Sequence, residues 1–399
     1  MAKLPLLVLI ALSCFISASC IDMNAQTSTV RPLDPTKVIP AAERIDYYLP
    51  LLQNKRVGMV VNQTSMCGDQ HLVDVLLSQN VDIKTIFAPE HGFRGTADAG
   101  ATISDSKDDK TGLPVVSLYG KNKKPTAAQL ANLDVIVFDI QDVGARFYTY
   151  ISSMHYVMEA AAENNKSVVV LDRPNPNGHY VDGPVLDLEF QSFVGMHEIP
   201  IVHGMTVGEL ACMINGEGWL KGGISCALDV IPCKNYNHQI NYPLPVRPSP
   251  NLPNYYSVRL YPSFCLFEGT DVSVGRGTDK QFQVLGAVKG KGPFSFTPVS
   301  KPGAKYPKHE GKLLKGEDFT QLSVGEVGAI EFELSYLLNY YEMLGPSLFT
   351  KSDFFDKLAG GDGLRKMILA GKSEAEIRAS WEPKLGAFKE LRNQYMLYE

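Results

Sequence analysis

The fold is decided by the stretch Val135-Ile-Val-Phe-Asp139, the segment from Phe147 to Asn164, and Ser167-Val-Val-Val-Leu-Asp172. The first and last runs are continuously apolar and rich in β-branched residues, which is typical of strands buried on both faces. Apolar side chains recur between them at three- and four-residue spacing, at Phe147, Ile151, Met154 and Met158. That spacing predicts a helix with one face in the core. The order strand, helix, strand predicts two parallel strands joined by a crossover helix.

The same order occurs earlier in the chain. Arg56 to Asn62 precedes a helical pattern from His71 to Gln79, and further strands are predicted from Ile83 to Ala88 and from Val115 to Tyr119. Repetition of this unit is the signature of an α/β fold with a mostly parallel sheet. We therefore predict one α/β domain over residues 41–255.

The pattern changes after a proline-rich run from Pro243 to Pro253, where few residues can donate ladder hydrogen bonds. Beyond it, strands are predicted over 283–288 and 328–334, and helices over 335–341 and 374–381. These elements predict a smaller α+β domain over residues 256–399.

The beginning of the chain resembles an export signal. Lys3 precedes an apolar run from Leu6 to Ile16, and Ser17-Ala-Ser-Cys20 follows. The pattern predicts a signal peptide over residues 1–20 with a lipobox ending at Cys20, and a polar tether over 21–40. We expect an exported protein of a bacterial cell envelope, periplasmic or held at the membrane only by a lipid anchor.

Composition and motifs exclude several classes of protein. The formal net charge is −5, so no overall positive field exists to attract nucleic acid. The loop after the first strand, Val61 to Gly68, has neither a dinucleotide-binding nor a phosphate-binding glycine pattern. The histidines show no zinc-ligand spacing. We expect no cofactor and no metal.

Polar residues follow the predicted strands, and in open α/β sheets the ligand crevice lies at the carboxyl ends of the strands. We therefore expect the active site to be built from residues that are distant in sequence. The candidates at these positions are Asn62, Glu90, His91, Asp139, Gln141, Asp142, Asp172 and Arg173.

Glu90 lies in Phe87-Ala-Pro-Glu-His-Gly-Phe-Arg-Gly95, where Pro89 ends the strand. A carboxyl group at a strand end in an apolar crevice can have its pKa raised and can then act as a general acid. The alternative is a surface ion pair between Glu90 and Arg94. The position at the crevice favours the functional interpretation.

Carboxylates and amides beside aromatic rings are what a carbohydrate site needs, and such residues follow the strand that ends at Asp139. They are Asp139, Gln141, Asp142, Arg146, Tyr148 and Tyr150. For Asp142, helix capping is an equal alternative. Arg173 could bind a substrate carboxylate or form a structural pair with Asp172 or Asp139. Glu268 and Arg276 are candidates from the second domain by position alone.

One carboxylate has a structural interpretation. Thr206-Val-Gly-Glu209 precedes an apolar helical run and matches a capping box, so we predict that Glu209 caps a helix and is not an acid catalyst. The chain also lacks the Gly-x-Ser-x-Gly elbow of α/β-hydrolases. Hydrolysis by paired carboxyl groups is therefore the leading chemistry.

Several of these motifs together resemble the NamZ-type exo-β-N-acetylmuramidases, a family formerly described as a domain of unknown function. The motifs are Ala88 to Gly95, Asp139 to Tyr150, Asp172 to Pro176, His203 to Thr206, Phe267 to Thr270 and Gly275 to Thr278. The resemblance implies a Rossmann-like N-terminal domain, a smaller C-terminal domain and a cleft between them. It also implies release of N-acetylmuramic acid from non-reducing ends of peptidoglycan fragments, with Glu90 as the leading catalytic carboxylate.

Some assignments stay open at this stage. Glu268 and Asp142 are both candidates for the partner of Glu90, and the acetamido group of the substrate could take that role. The lactyl carboxylate of N-acetylmuramic acid calls for a cation, for which the candidates are Arg94, Arg146, Arg173 and Arg276. One competing hypothesis is a surface lipoprotein that captures muropeptides without cleaving them. Another is an esterase or deacetylase acting on the same polymer.

Overall fold

A seven-stranded sheet forms the centre of the N-terminal part of the protein. The computed structural model describes residues 37–90, 92–93, 106–120 and 122–399. The predicted signal peptide with Cys20, most of the predicted tether, His91 and Arg94 lie outside the described residues.

Strands and helices both occur up to Asp318, and after it the described elements are all helices. The strands are β1 (Arg56–Val61), β2 (Met66–Cys67), β3 (Gln70–His71), β4 (Asp82–Ala88), β5 (Ser106–Lys107), β6 (Pro114–Ser117), β7 (Val135–Asp139), β8 (Ser167–Leu171), β9 (Ala227–Ile231), β10 (Val284–Ala287), β11 (Phe294–Phe296) and β12 (Leu314–Asp318). The helices are α1 (Ile45–Leu52), α2 (Leu72–Ser78), α3 (Ala127–Leu130), α4 (Tyr150–Glu163), α5 (Val207–Gly216), α6 (Tyr255–Phe264), α7 (Val324–Gly328), α8 (Ser335–Leu344), α9 (Ser352–Ala359), α10 (Gly363–Leu369) and α11 (Glu374–Arg392).

The main sheet has the strand order β5-β6-β4-β1-β7-β8-β9. Its neighbours are parallel except for the short edge pair β5 and β6, which is antiparallel. Without β5, the order is that of a doubly wound dinucleotide-binding fold, so the predicted mostly parallel, Rossmann-like sheet is confirmed. The winding direction reverses between β1 and β7, which is where such folds hold ligands.

Both faces of this sheet are covered. Along β1, Val57, Met59 and Val61 pack into one buried cluster, whereas Val60 packs into the other. This alternation follows from the two-residue period of a strand. All residues of β7 are buried, as the apolar runs predict.

Helix α4 crosses between β7 and β8 as predicted, although it begins at Tyr150 and not at Phe147. Its buried side includes Ile151, Met154 and Met158. The predicted capping box of α5 is confirmed, because the Thr206 hydroxyl accepts a hydrogen bond from the Glu209 N–H while the Glu209 carboxylate accepts one from the Thr206 N–H.

The C-terminal part combines helices α6 to α11 with a small antiparallel sheet in the order β10-β12-β11. The predicted strand over 328–334 is wrong, because only its first residue lies in an element, helix α7. Distant side chains bind the backbone of this run instead of a neighbouring strand. Arg259 donates to the carbonyls of Gly328 and Ile330, and Arg378 donates to that of Phe332.

Within the described residues, no helix combines the length and the apolar character that crossing a membrane requires.

Candidate active site

A cavity of about 280 Å³ lies where segments that follow β4, β6 and β7 meet the C-terminal part of the chain. Its position agrees with the rule that ligands bind at the carboxyl edge of a parallel sheet. Among the described residues, its walls are largely aromatic and two carboxyl groups face it. The lining residues include Glu90, Tyr119, Phe147, Tyr148, Thr149, Tyr150, Phe193, Ser249, Asn251, Tyr261, Cys265, Glu268, Arg276, Phe282 and Phe354.

Glu90 reaches this cavity from the loop after β4. Thr149, the N-cap residue directly before α4, makes no capping hydrogen bond with its side chain. Its hydroxyl instead donates to Glu90 Oε2 at 3.5 Å, and the Tyr150 hydroxyl donates to the Glu90 carbonyl at 3.4 Å. The start of α4 therefore helps to orient Glu90.

Three aromatic rings pack edge to face in one wall of the cavity. The centroid of Tyr148 lies 5.0 Å from that of Tyr150 and 5.9 Å from that of Tyr261. The Tyr148 hydroxyl donates to the Pro248 carbonyl at 2.8 Å, so this ring is fixed. Burial, and to a smaller extent the charge of Glu90, raises the pKa of Tyr150. The hydroxyl therefore keeps its proton and remains a hydrogen-bond donor.

Glu268 enters the cavity from the C-terminal part, on a short 3₁₀-helix over Cys265–Gly269. Its Oε1 lies 2.7 Å from Nε of Arg276, whose guanidinium packs over the Phe282 ring at 5.0 Å. Burial alone would raise the pKa of Glu268, but the charges of Arg276, Lys308 and Lys351 outweigh burial and hold that pKa below its ordinary value. Glu268 is therefore a carboxylate at neutral pH.

Lys308 holds this 3₁₀-helix in place. Its Nζ donates to the carbonyls of Phe267, Thr270 and Val272 at 2.8, 2.6 and 2.8 Å. One ammonium group thus satisfies three carbonyls around Glu268, and sequence analysis did not single it out.

The polar residues that follow β1, β7 and β8 also converge, but in a buried network that does not line the cavity. The guanidinium of Arg173 binds both carboxylate oxygens of Asp139, at 2.6 and 2.8 Å. This confirms the structural alternative for Arg173. Gln141 donates from its side chain to two backbone carbonyls, and Asn62 accepts from the Thr64 hydroxyl at 2.6 Å.

Asp142 is also buried, 4% exposed, and does not line the cavity. It lies well before α4, so the helix-capping interpretation is wrong; its Oδ2 accepts instead from the Gly144 N–H at 2.7 Å. His203 Nε2 lies 3.7 Å from the same oxygen. Burial raises the pKa of Asp142 to about 7.

Two further residues that were predicted to bind substrate instead make contacts inside the protein. Asp172 accepts hydrogen bonds from the Thr206 and Tyr398 hydroxyls at 2.7 and 2.6 Å. Arg146 is fully buried and donates to backbone carbonyls, among them those of Ile199 and Leu358, at 2.7 and 2.9 Å.

Five predicted site residues among those described therefore meet in the cavity: Glu90, Tyr148, Tyr150, Glu268 and Arg276. Of the arginines considered for a substrate carboxylate, Arg146 and Arg173 are engaged internally and Arg276 faces the cavity. The aromatic lining was largely missed. Tyr119 stands at the carboxyl end of a predicted strand, so the rule that selected Glu90 could have found it, whereas Phe193 and Phe354 carry no such signal.

Comparison with known proteins assigns the family. The N-terminal model of the exo-β-N-acetylmuramidase NamZ matches residues 57–256, and the C-terminal model matches residues 259–398. The peptidoglycan β-N-acetylmuramidase NamZ of Bacillus subtilis is 39% identical, in a match that covers 88% of this chain and 89% of that protein.

Two crystal structures of DUF1343 family proteins from Bacteroides fragilis share the fold. One has 49% sequence identity and a TM-score of 0.84, covering 91% of this chain and 99% of its own. The other has 30% identity and a TM-score of 0.76, covering 91% and 100%. Two consecutive family models span nearly all of the described residues, and the chain belongs to the NamZ family of exo-β-N-acetylmuramidases.

Proposed function

We propose that this protein is an exo-acting glycoside hydrolase that releases N-acetylmuramic acid from the non-reducing ends of peptidoglycan fragments. The observation that carries the proposal is the presence of two carboxyl groups, Glu90 and Glu268, in one cavity walled by aromatic rings. Paired carboxyl groups are the usual catalysts of glycoside hydrolysis. The B. subtilis relative is a peptidoglycan β-N-acetylmuramidase.

The cavity suits a single terminal sugar. Its volume of about 280 Å³ is at the lower limit of small-molecule sites, which span roughly 300–1,000 Å³. The apolar faces of a sugar ring pack on aromatic side chains, here Tyr148 and Tyr261, while hydroxyl and carbonyl groups at its rim bind the sugar hydroxyls. A site of this size favours cleavage from a chain end over cleavage within a chain.

The electrostatic surroundings support different roles for the two carboxyl groups. Glu268 is held as a carboxylate by neighbouring cations, so it is poorly suited to donate a proton at neutral pH. In our proposal Glu90 protonates the glycosidic oxygen. The negative charge of Glu268 then stabilises the oxocarbenium-like transition state, unless the acetamido group of the substrate does so.

Asp142, the other candidate for the second carboxyl group, is less suitable. It is buried away from the cavity, and burial raises its pKa to about 7. The hydrogen bond that it accepts from the Gly144 N–H supports a structural role.

We also propose that the enzyme acts in the cell envelope. Support comes from the export pattern of residues 1–20 and from the substrate itself, which is a wall polymer. Acyl labelling of the full chain beside Cys20→Ala tests the anchor; label that persists in the variant would exclude lipidation at Cys20.

Product analysis by mass spectrometry tests the activity. The disaccharide N-acetylmuramyl-N-acetylglucosamine is incubated with wild type, with Glu90→Gln, and with Glu163→Gln as a control on the surface of α4. We expect free N-acetylmuramic acid from wild type and control, and a loss of about 10²- to 10⁴-fold in Glu90→Gln. Intact disaccharide in all three samples, with binding detected by calorimetry, would favour the capture protein.

A further inference from the structure

A second cavity adjoins the candidate active site. Its volume is about 520 Å³, and Glu268 and Arg276 line both cavities. We call it the annex. Its wall differs from that of the first cavity, because Tyr306 is the only aromatic ring among the described residues that line it.

The annex is lined by cations. Four of its side chains are basic, namely Arg276, Lys305, Lys308 and Lys351. Two of them have internal partners, since Arg276 binds Glu268 and Lys308 binds three backbone carbonyls. Lys305 and Lys351 are exposed, and within the described part of the chain neither forms an ion pair.

Neither carboxylate of the annex forms an ion pair with these two lysines in the described part of the chain, although the charge of Lys351 acts on Glu268 at longer range. Glu268 is paired with Arg276. Asp271 Oδ1 lies 3.3 Å from His309 Nε2. The annex therefore presents a local positive surface on a protein whose formal net charge is −5. Such a surface selects an anionic group, because overall charge offers that group no attraction.

We propose that the annex binds the carboxylate carried by the O3 substituent of the muramic sugar, with Lys305 and Lys351 as its specificity-determining cations. The inference rests on the proposed function. A sugar placed between Glu90 and Glu268 lies at the junction of the two cavities, so its acidic arm can reach the annex while its ring stays in the aromatic cavity.

The aglycone is a poorer occupant of the annex. The next sugar in peptidoglycan, N-acetylglucosamine, is neutral and gives two lysines no partner. The O3 substituent of the muramic sugar, in contrast, ends in a carboxylate whether or not a peptide is attached. In peptide-free fragments this is the lactyl carboxylate itself, and in muropeptides it is a carboxylate of the attached peptide. The annex has room for either.

Substrates that differ in the charge of the O3 substituent test the proposal. We would prepare p-nitrophenyl β-glycosides of N-acetylmuramic acid, of its neutral lactyl amide, and of the muramyl dipeptide L-alanyl-D-isoglutamine. The proteins are wild type, the double variant Lys305→Gln/Lys351→Gln, and Lys312→Gln, an exposed lysine that does not line the annex. Calorimetry with free N-acetylmuramic acid and its lactyl amide measures binding without turnover.

We expect the double variant to raise KM about tenfold for substrates whose carboxylate enters the annex, relative to its KM for the neutral lactyl amide. Any change that follows from losing the Lys351 charge beside Glu268 is shared by the amide, so the ratio of acid to amide isolates binding in the annex. An effect on the free acid alone assigns the annex to the lactyl carboxylate, and an effect on the dipeptide alone assigns it to the peptide.

Equal KM values in wild type and double variant for every substrate, or an equal rise that includes the neutral amide, would overturn the proposal. If wild type cleaves none of the glycosides, the proposed function fails. The calorimetric difference between acid and amide then still decides whether the annex recognises the carboxylate.

Discussion

Glu268 and Arg276 form the pair on which the electrostatics of the candidate site depend. Their side chains are 22% and 28% exposed, so the pair is partly shielded from water and feels its neighbours strongly. Burial opposes the charge of Glu268, and Arg276 is the largest of the opposing effects that keep its pKa below the ordinary 4.5. If the guanidinium is removed, burial should raise the pKa of Glu268.

We predict that Arg276→Gln raises the pKa of Glu268. Because an ionised Glu268 is required in our account, the acidic limb of the pH dependence of kcat/KM should move to higher pH in the variant. Measuring kcat/KM for a muramyl glycoside between pH 3 and pH 8 checks this. Lys372→Gln, which removes only the surface ion pair with Glu376, is the control; an acidic limb shared by all three proteins would contradict the role given to Glu268.

Asp142 provides a second prediction from a single residue. Its pKa is 3.8 in an exposed reference state and about 7 in the folded protein, because burial disfavours the charge. Between these values the folded state holds a proton that the unfolded state has released, so the free energy of unfolding falls as the pH rises. Asn at this position keeps an oxygen for the Gly144 N–H and does not titrate.

The free energy of unfolding of Asp142→Asn relative to wild type should therefore increase between pH 4 and pH 7, by up to about 4 kcal/mol, and then level off. Urea denaturation at several pH values measures it. The variant should also keep most of its activity. A pH-independent difference, or a loss of activity as large as that of Glu90→Gln, would return Asp142 to the list of catalytic groups.

Position relative to the strands identified Glu90, but the same rule also selected residues that do not reach the cavity. Asn62 and Arg173 follow strands and Asp139 ends one, much as Glu90 follows its strand, yet they bind one another or nearby backbone. A sequence shows that a polar residue ends a strand; it does not show whether a second polar residue will meet it there. The geometry of pairs such as Arg173 with Asp139, 34 positions apart, settles that question.

At the scale of elements, the parallel strands were predictable because strands buried on both faces have continuously apolar sequences. Val135–Asp139 was predicted with the bounds that are observed. The prediction of a strand over 328–334 was wrong. The backbone of this run accepts hydrogen bonds from the side chains of Arg259 and Arg378, which are distant in sequence. Local pattern carries no information about such partners.

The 3₁₀-helix that carries Glu268 depends on Lys308, which gives a prediction about this element. Lys308→Met would leave the carbonyls of Phe267, Thr270 and Val272 without their donor, and it would remove a cation beside Glu268. We expect the free energy of unfolding to fall by about 2 to 4 kcal/mol and activity to fall with it. Urea denaturation checks this against Lys312→Met, and equal stability of the two variants would contradict it.

At the scale of the whole molecule, the two parts of the chain supply the two carboxyl groups. Glu90 follows a strand of the parallel sheet, whereas Glu268 follows α6 in the C-terminal part. Neither part holds both groups. The parts are also joined elsewhere, since Tyr398 near the C-terminus donates to Asp172 beside β8. The cavity therefore depends on how the parts pack, which the sequence patterns of either part alone could not predict.

In the proposed reaction, this cavity removes one muramic sugar from a chain end. Mass spectrometry of the products from the tetrasaccharide N-acetylmuramyl-N-acetylglucosaminyl-N-acetylmuramyl-N-acetylglucosamine tests this. We predict one N-acetylmuramic acid per chain and a trisaccharide that resists further cleavage, because its new end is N-acetylglucosamine. Release of disaccharides, or an unchanged tetrasaccharide with active wild-type protein, would contradict the account.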